Sequence, residues 1–81
     1  MDYRALLVQE LIKITKTWVD ANGYASKDGV VCIFNGKVQG WVKELPDPAD
    51  WRPGVYAVSK EDVFLAVGGD NVDGAKEWTQ I

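Results

Sequence analysis

The chain has 81 residues, enough for one domain and no more. Apolar residues make up 47% of it, which argues against disorder along the whole length. One cysteine, no histidine and a net charge of -3 exclude an internal disulfide and a Cys₄ or Cys₂His₂ zinc site, and they disfavour a nucleic-acid backbone as partner.

The first element in chain order is the clearest. On a helical wheel, Leu7, Val8, Leu11, Ile12, Ile14, Thr15, Trp18 and Val19 share one half, and Gln9, Glu10, Lys13, Lys16, Thr17 and Asp20 take the other. That spacing predicts an amphipathic helix over about residues 3–21. Asp2 is suited to cap its start, and Asn22-Gly23 is a left-handed stop. Leu6 falls on the polar half and reads as an exposed leucine. The start of the chain is acidic, and Leu6-Leu7-Val8 is broken at once by Gln9-Glu10, so no signal-peptide core is present. No run approaches the roughly 18 apolar residues that cross a bilayer. A cytoplasmic location, away from membranes, is the expectation.

Ser26-Lys27-Asp28-Gly29 reads as a turn. Val30 to Phe34 is a continuous apolar run rich in β-branched residues, which predicts a central strand over about 30–35. Asn35-Gly36 is a type I′ hairpin signal, and Lys37–Lys43 is the returning strand. Three prolines within residues 46–53 then rule out a central strand over 44–54 and predict a semi-rigid loop, with Trp51 tucked back onto the body. Strands follow at 55–58 and 63–67, joined by the turn Ser59-Lys60-Glu61-Asp62. The tail, residues 71–81, reads as a short edge strand or a helical turn anchored by Trp78 and Ile81.

The fold class is therefore α+β in a single domain, residues 1–81. An N-terminal amphipathic helix packs on a four-stranded antiparallel meander. If the tail adds a strand, the sheet has five strands or rolls into a small barrel. Period-two alternation sorts the strands into two faces. Val31, Ile33, Val38, Gly40, Val42, Val55, Ala57, Val63, Leu65 and Val67 form an aliphatic face for the helix, with Gly40 permitting close approach. Cys32, Phe34, Trp41, Tyr56, Val58, Phe64 and Ala66 form an aromatic face.

The chemistry of catalysis is missing from this pattern. Without histidine there is no Ser or Cys triad, and the carboxylates all fall in apparent loops, so no enzyme, metal site or cofactor is expected. Gly68-Gly69-Asp70 and Asp73-Gly74 lack the lysine of a phosphate-binding loop and the ligand spacing of an EF-hand, and read as a turn. Cys32, inside an apolar run, reads as a small buried hydrophobe.

The charge is uneven. Residues 1–43 carry six Lys/Arg against four Asp/Glu, and residues 44–81 carry three against eight. Four tryptophans in so short a chain are potential interface anchors. These features point to a non-catalytic protein-interaction domain: an adaptor, inhibitor or small regulatory subunit, binding another protein or a second copy of itself. Trp41, Tyr56, Trp51 and Arg52 are the expected contacts, with Lys43 at the rim. The acidic half would steer toward a basic partner. Two alternatives remain. One is single-stranded nucleic-acid binding by stacking on Trp41 and Tyr56. The other is a purely structural or self-associating domain whose aromatic face is buried.

Overall fold

The computed structural model describes residues 3–24, 29–60 and 62–81. Asp2, Ser26-Lys27-Asp28 and Glu61 lie outside them. Helix α1 spans Tyr3–Asn22 and the strands are β1 (Val30–Phe34), β2 (Lys37–Val42), β3 (Tyr56–Val58), β4 (Val63–Val67) and β5 (Glu77–Gln80). The fold is α+β, with α1 packed on a five-stranded open antiparallel sheet. The tail supplies the fifth strand and the sheet does not close into a barrel. Its strand order is β2-β1-β3-β4-β5, which is not a meander. β1 lies between β2 and β3, so the segment joining β2 to β3 must cross one face of β1.

Helix α1 ends as the sequence predicts. Gly23 takes the left-handed conformation (φ 79°), and the Tyr24 N–H donates to the Val19 carbonyl at 2.8 Å, closing a Schellman motif. The Asn22 side chain donates to the Trp18 carbonyl at 2.8 Å. The β1–β2 turn is also as expected. Asn35 (φ 53°) and Gly36 (φ 76°) both have the positive φ of a type I′ turn.

The ladder of this hairpin then slips. Ile33 pairs with Val38, but Cys32 pairs with Gly40, which leaves Gln39 as an extra residue in a bulge. An inserted residue inverts every side chain beyond it. Trp41 therefore points to the same side as Val38, toward α1. Gly40 and Val42 go to the opposite face. A Cβ at Gly40 would meet no atom within 4 Å, so this glycine serves no close approach of the helix.

The short strand β3 is inverted as well. Tyr56 and Val58 sit opposite Ile33 and Val31 and share their helix-side face. Val55 and Ala57 belong to the far face. The helix-side core is thus Leu11, Val31, Ile33, Val58 and Val63, with Val8, Ile14, Trp18, Val19, Val38, Trp41, Tyr56 and Ile81 packed around it. The far-side core is Val30, Cys32, Val55, Ala57, Ala66 and Ala75, bordered by Phe34, Val42, Trp51, Phe64 and Trp78. The aromatic residues are divided between the faces rather than gathered on one.

The far face is covered by the crossing segment. Its centre is a short 3-10 turn at Pro48–Asp50, capped by Asp47, whose carboxylate accepts from the Ala49 N–H at 2.9 Å. The Ala75 N–H donates to the Trp51 carbonyl at 2.8 Å, and Trp78 Nε1 donates to the Pro46 carbonyl at 2.7 Å. Small side chains at Cys32, Ala57, Ala66 and Ala75 let this backbone lie close to the sheet. Gly74 is the tightest point: its φ is 87° and a Cβ there would run into the Ala49 carbonyl. The Gly68–Gly74 stretch is a turn as expected, closed by the isolated bridge Asp70–Gly74 and by the Asp70 carboxylate, which accepts from the Val72 and Asp73 N–H groups.

Gly74→Ala should lower the unfolding free energy by about 2–4 kcal/mol, because left-handed strain adds to a clash with backbone. Gly36→Ala has the same backbone sign but open space around it, and should cost only about 1–2 kcal/mol. Urea unfolding of the two variants, compared at a common m-value, measures the difference.

Candidate functional site

The five residues expected at a contact surface do not form one patch. Trp41 and Tyr56 are half-buried on the helix side of the sheet. Trp51 is half-buried on the far side, against the opposite core. Arg52 is exposed beside it, and its guanidinium carbon lies 5.0 Å from the centre of the Phe34 ring. Lys43 is exposed just past the end of β2.

Trp41 already has an aromatic partner within the chain. Its ring stacks on Tyr24 at 4.8 Å and 20°, and Tyr24 stacks in turn on Trp18 at 5.3 Å and 6°. Gly29 lies directly against the indole, so closely that a Cβ would collide with the ring. The three-ring stack fastens the end of α1 to β2. Tyr24 carries no helical or strand pattern, so the wheel and the alternation both pass over it. Its signal was the position just after a Schellman glycine, where a side chain folds back on the last turn of its helix.

Two other features stand out. The first is a crevice of about 280 Å³ between the C-terminal half of α1 and the sheet. Val31 and Val58 lie on its sheet side, Ile12, Thr15 and Val19 on its helix side, and Tyr24 and Trp41 contribute aromatic walls. It exists because α1 is only partly seated. Leu11 is buried, but Leu7 and Ile12 are 37% and 48% exposed although both belong to the apolar half of the wheel.

The second is the pair of open sheet edges. β2 is bulged at Gln39 and carries Lys37, both of which discourage pairing with another chain. β5 is regular. The Ile81 N–H donates to the Val63 carbonyl at 2.9 Å, and Thr79 and Glu77 lie opposite Leu65 and Val67. Antiparallel alternation therefore turns the N–H and C=O groups of Trp78 and Gln80 away from β4, toward the open edge. Acidic side chains surround this edge. Glu77 lies in it, and Asp62 accepts from the Gln80 side chain at 2.6 Å. Asp70 and Asp73 occupy the turn before it, and Asp47 caps and Asp50 ends the 3-10 turn packed beside it.

Among the described residues, no group of three or more Cys, Asp or Glu side chains is placed to hold a metal ion, and no helix is long and apolar enough to cross a membrane. Compared with known proteins, the chain matches no family model, no curated protein and no solved structure.

Cys32 is fully buried in β1. Burial pushes its thiol up to about 11, because a thiolate there would lose its hydration. The native thiol should therefore resist Ellman's reagent at mildly alkaline pH and react only as the chain unfolds. A raised folded-state pKa keeps its stabilising effect below the unfolded value and loses it as pH rises through the folded one. Between pH 9 and 11 the native protein should thus lose stability on the order of 2 kcal/mol that a Cys32→Ala variant does not lose. Urea midpoints of the two proteins across that pH range test this.

Proposed function

We propose that this domain is a non-catalytic protein-interaction module that accepts an extended, basic segment of a partner protein along the edge of β5. The observation that supports this reading is the regular, uncovered β5 edge set among carboxylates. Strand addition draws affinity from backbone hydrogen bonds, and the outward N–H and C=O groups of Trp78 and Gln80 are the ones available for it. The charge around the edge chooses among partners. A second copy of this chain would bring the same acidic edge and be repelled, whereas lysine or arginine side chains would be attracted. Trp78, half-buried next to the edge, gives the aliphatic part of such a side chain a ring to lie on. Trp51 belongs to the same far-side layer as Trp78, Arg52 lies over Phe34 of β1 away from this edge, and Trp41 and Tyr56 act from the other face in holding the helix.

The test uses a short peptide of alternating lysine and valine, with a glutamate–valine peptide as control. In amide NMR spectra the basic peptide should shift Glu77–Gln80 and slow hydrogen exchange at Trp78 and Gln80, with affinity falling as salt rises. Gln80→Pro removes an N–H that does not bond β4, so the fold should persist while affinity falls about tenfold or more relative to Gln80→Ala. Equal binding of the acidic peptide, or shifts that leave β5 unchanged, would overturn the reading.

A further inference from the structure

The turn joining β4 to β5 and the groove beside the β1–β2 hairpin are complementary in charge, and one projects where the other is concave. We infer that the Val72 tip of one copy docks in this groove on a second copy. The chain then associates head to tail, through a contact separate from the β5 edge.

Val72 is 92% exposed, more than any other large apolar side chain among the described residues. In that position it contributes nothing to the core of its own chain. It is also held in place. The Asp70 carboxylate accepts from the Val72 N–H at 2.9 Å and from the Asp73 N–H at 2.7 Å, and the Asp70–Gly74 bridge closes the turn. The tip thus presents an apolar side chain between two carboxylates, and little further ordering is needed on contact.

The groove, of about 550 Å³, runs between α1 and the hairpin. Ile14, Trp18 and Val38 give it an apolar floor; each packs on the helix-side core and keeps part of its surface open. Lys13 lines it from the helix and Lys37 from the strand, and both are exposed. Glu10 is the one carboxylate among its described lining residues, so a single positive charge is left over. An apolar floor beside cations is the counterpart of an apolar tip beside carboxylates.

The partners must come from different copies. β2 and β5 are opposite edges of the sheet, roughly 19 Å apart by four interstrand spacings. The tip therefore does not reach the groove of its own chain. Because the contact joins unlike surfaces, each copy can give a tip and receive another, and two acidic ends are never opposed. One side chain and its flanking charges make a small interface, so the association is weak and transient.

Sedimentation equilibrium of the whole chain tests this in about 0.15 M salt, where screening beyond ~8 Å leaves the net charge of -3 little influence. Mass should rise with concentration, with Kd on the order of 10⁻⁴ M. Concentration-dependent amide shifts should centre on Ile14, Trp18, Val38 and Val72. Val72→Ser removes the tip, and Lys13→Glu with Lys37→Glu reverses the groove. Both change exposed side chains, so each protein should fold and remain monomeric. Mixed together, they should form a one-to-one dimer that grows no further, because one intact tip meets one intact groove. Should the double variant fail to fold, Asp73→Lys takes its place and should weaken association about tenfold. A wild-type monomer at every concentration, undiminished association in Val72→Ser, a mixture that stays monomeric, or shifts centred on Glu77–Gln80 would each overturn the inference.

Discussion

Strand β1 must be hidden on both faces at once, and the rest of the structure follows from that demand. Val30, Val31, Cys32 and Ile33 are all at most 6% exposed. Side chains of this kind contribute about 1.5–3 kcal/mol each when fully buried, and alternate ones point in opposite directions. One covering layer would shelter only half of them. Helix α1 covers Val31 and Ile33. The crossing segment between β2 and β3 covers Val30 and Cys32. Placing β1 between β2 and β3 is what allows a single connection to pass over it.

The two covers are built differently. The helix is a broad apolar cylinder set on large side chains, fixed at one end by the Trp18–Tyr24–Trp41 stack and open along one flank. The crossing segment is nearly all backbone, so its polar groups need partners of their own. The indole N–H of Trp78 and the N–H of Ala75 supply them, donating to the carbonyls of Pro46 and Trp51. Prolines suit this place because the segment donates little to any ladder. The small side chains beneath and the glycine at position 74 are the counterpart of that choice: they make room for a covering layer that has no side-chain thickness to spare.

Much of this was legible from the residues alone. The 3.6-residue period showed α1, Asn22-Gly23 its end, and Asn35-Gly36 the hairpin, because each is a local signal with a local cause. The faces of the strands were less accessible. Counting in twos from Val38 puts Trp41 on the face away from the helix, and the bulge at Gln39 breaks that count without leaving any mark in the residue types. Aliphatic character points Val55 and Ala57 toward the helix, yet the far face also needs small aliphatic residues once a backbone lies on it. Strand order was illegible for a related reason. A hairpin and a crossing connection can both follow β2, and only the contacts of distant residues choose between them. The crevice and the β5 edge arise from those same distant contacts, and the residues whose type suits an interface lie on two different faces.

The strand order also divides the chain in time. β1 and β2 are neighbours in sequence, as are β3, β4 and β5, so each group can assemble from nearby residues. Among the described residues one ladder joins the groups, the three pairs Val31–Val58, Cys32–Ala57 and Ile33–Tyr56. Forming it requires closing the intervening chain, and loop closure costs entropy before any contact repays it. The stiff proline-containing segment limits the shapes that chain can sample and so shortens the search. The piece of backbone that shields the far face in the finished protein is, during folding, the hinge through which its two halves find each other.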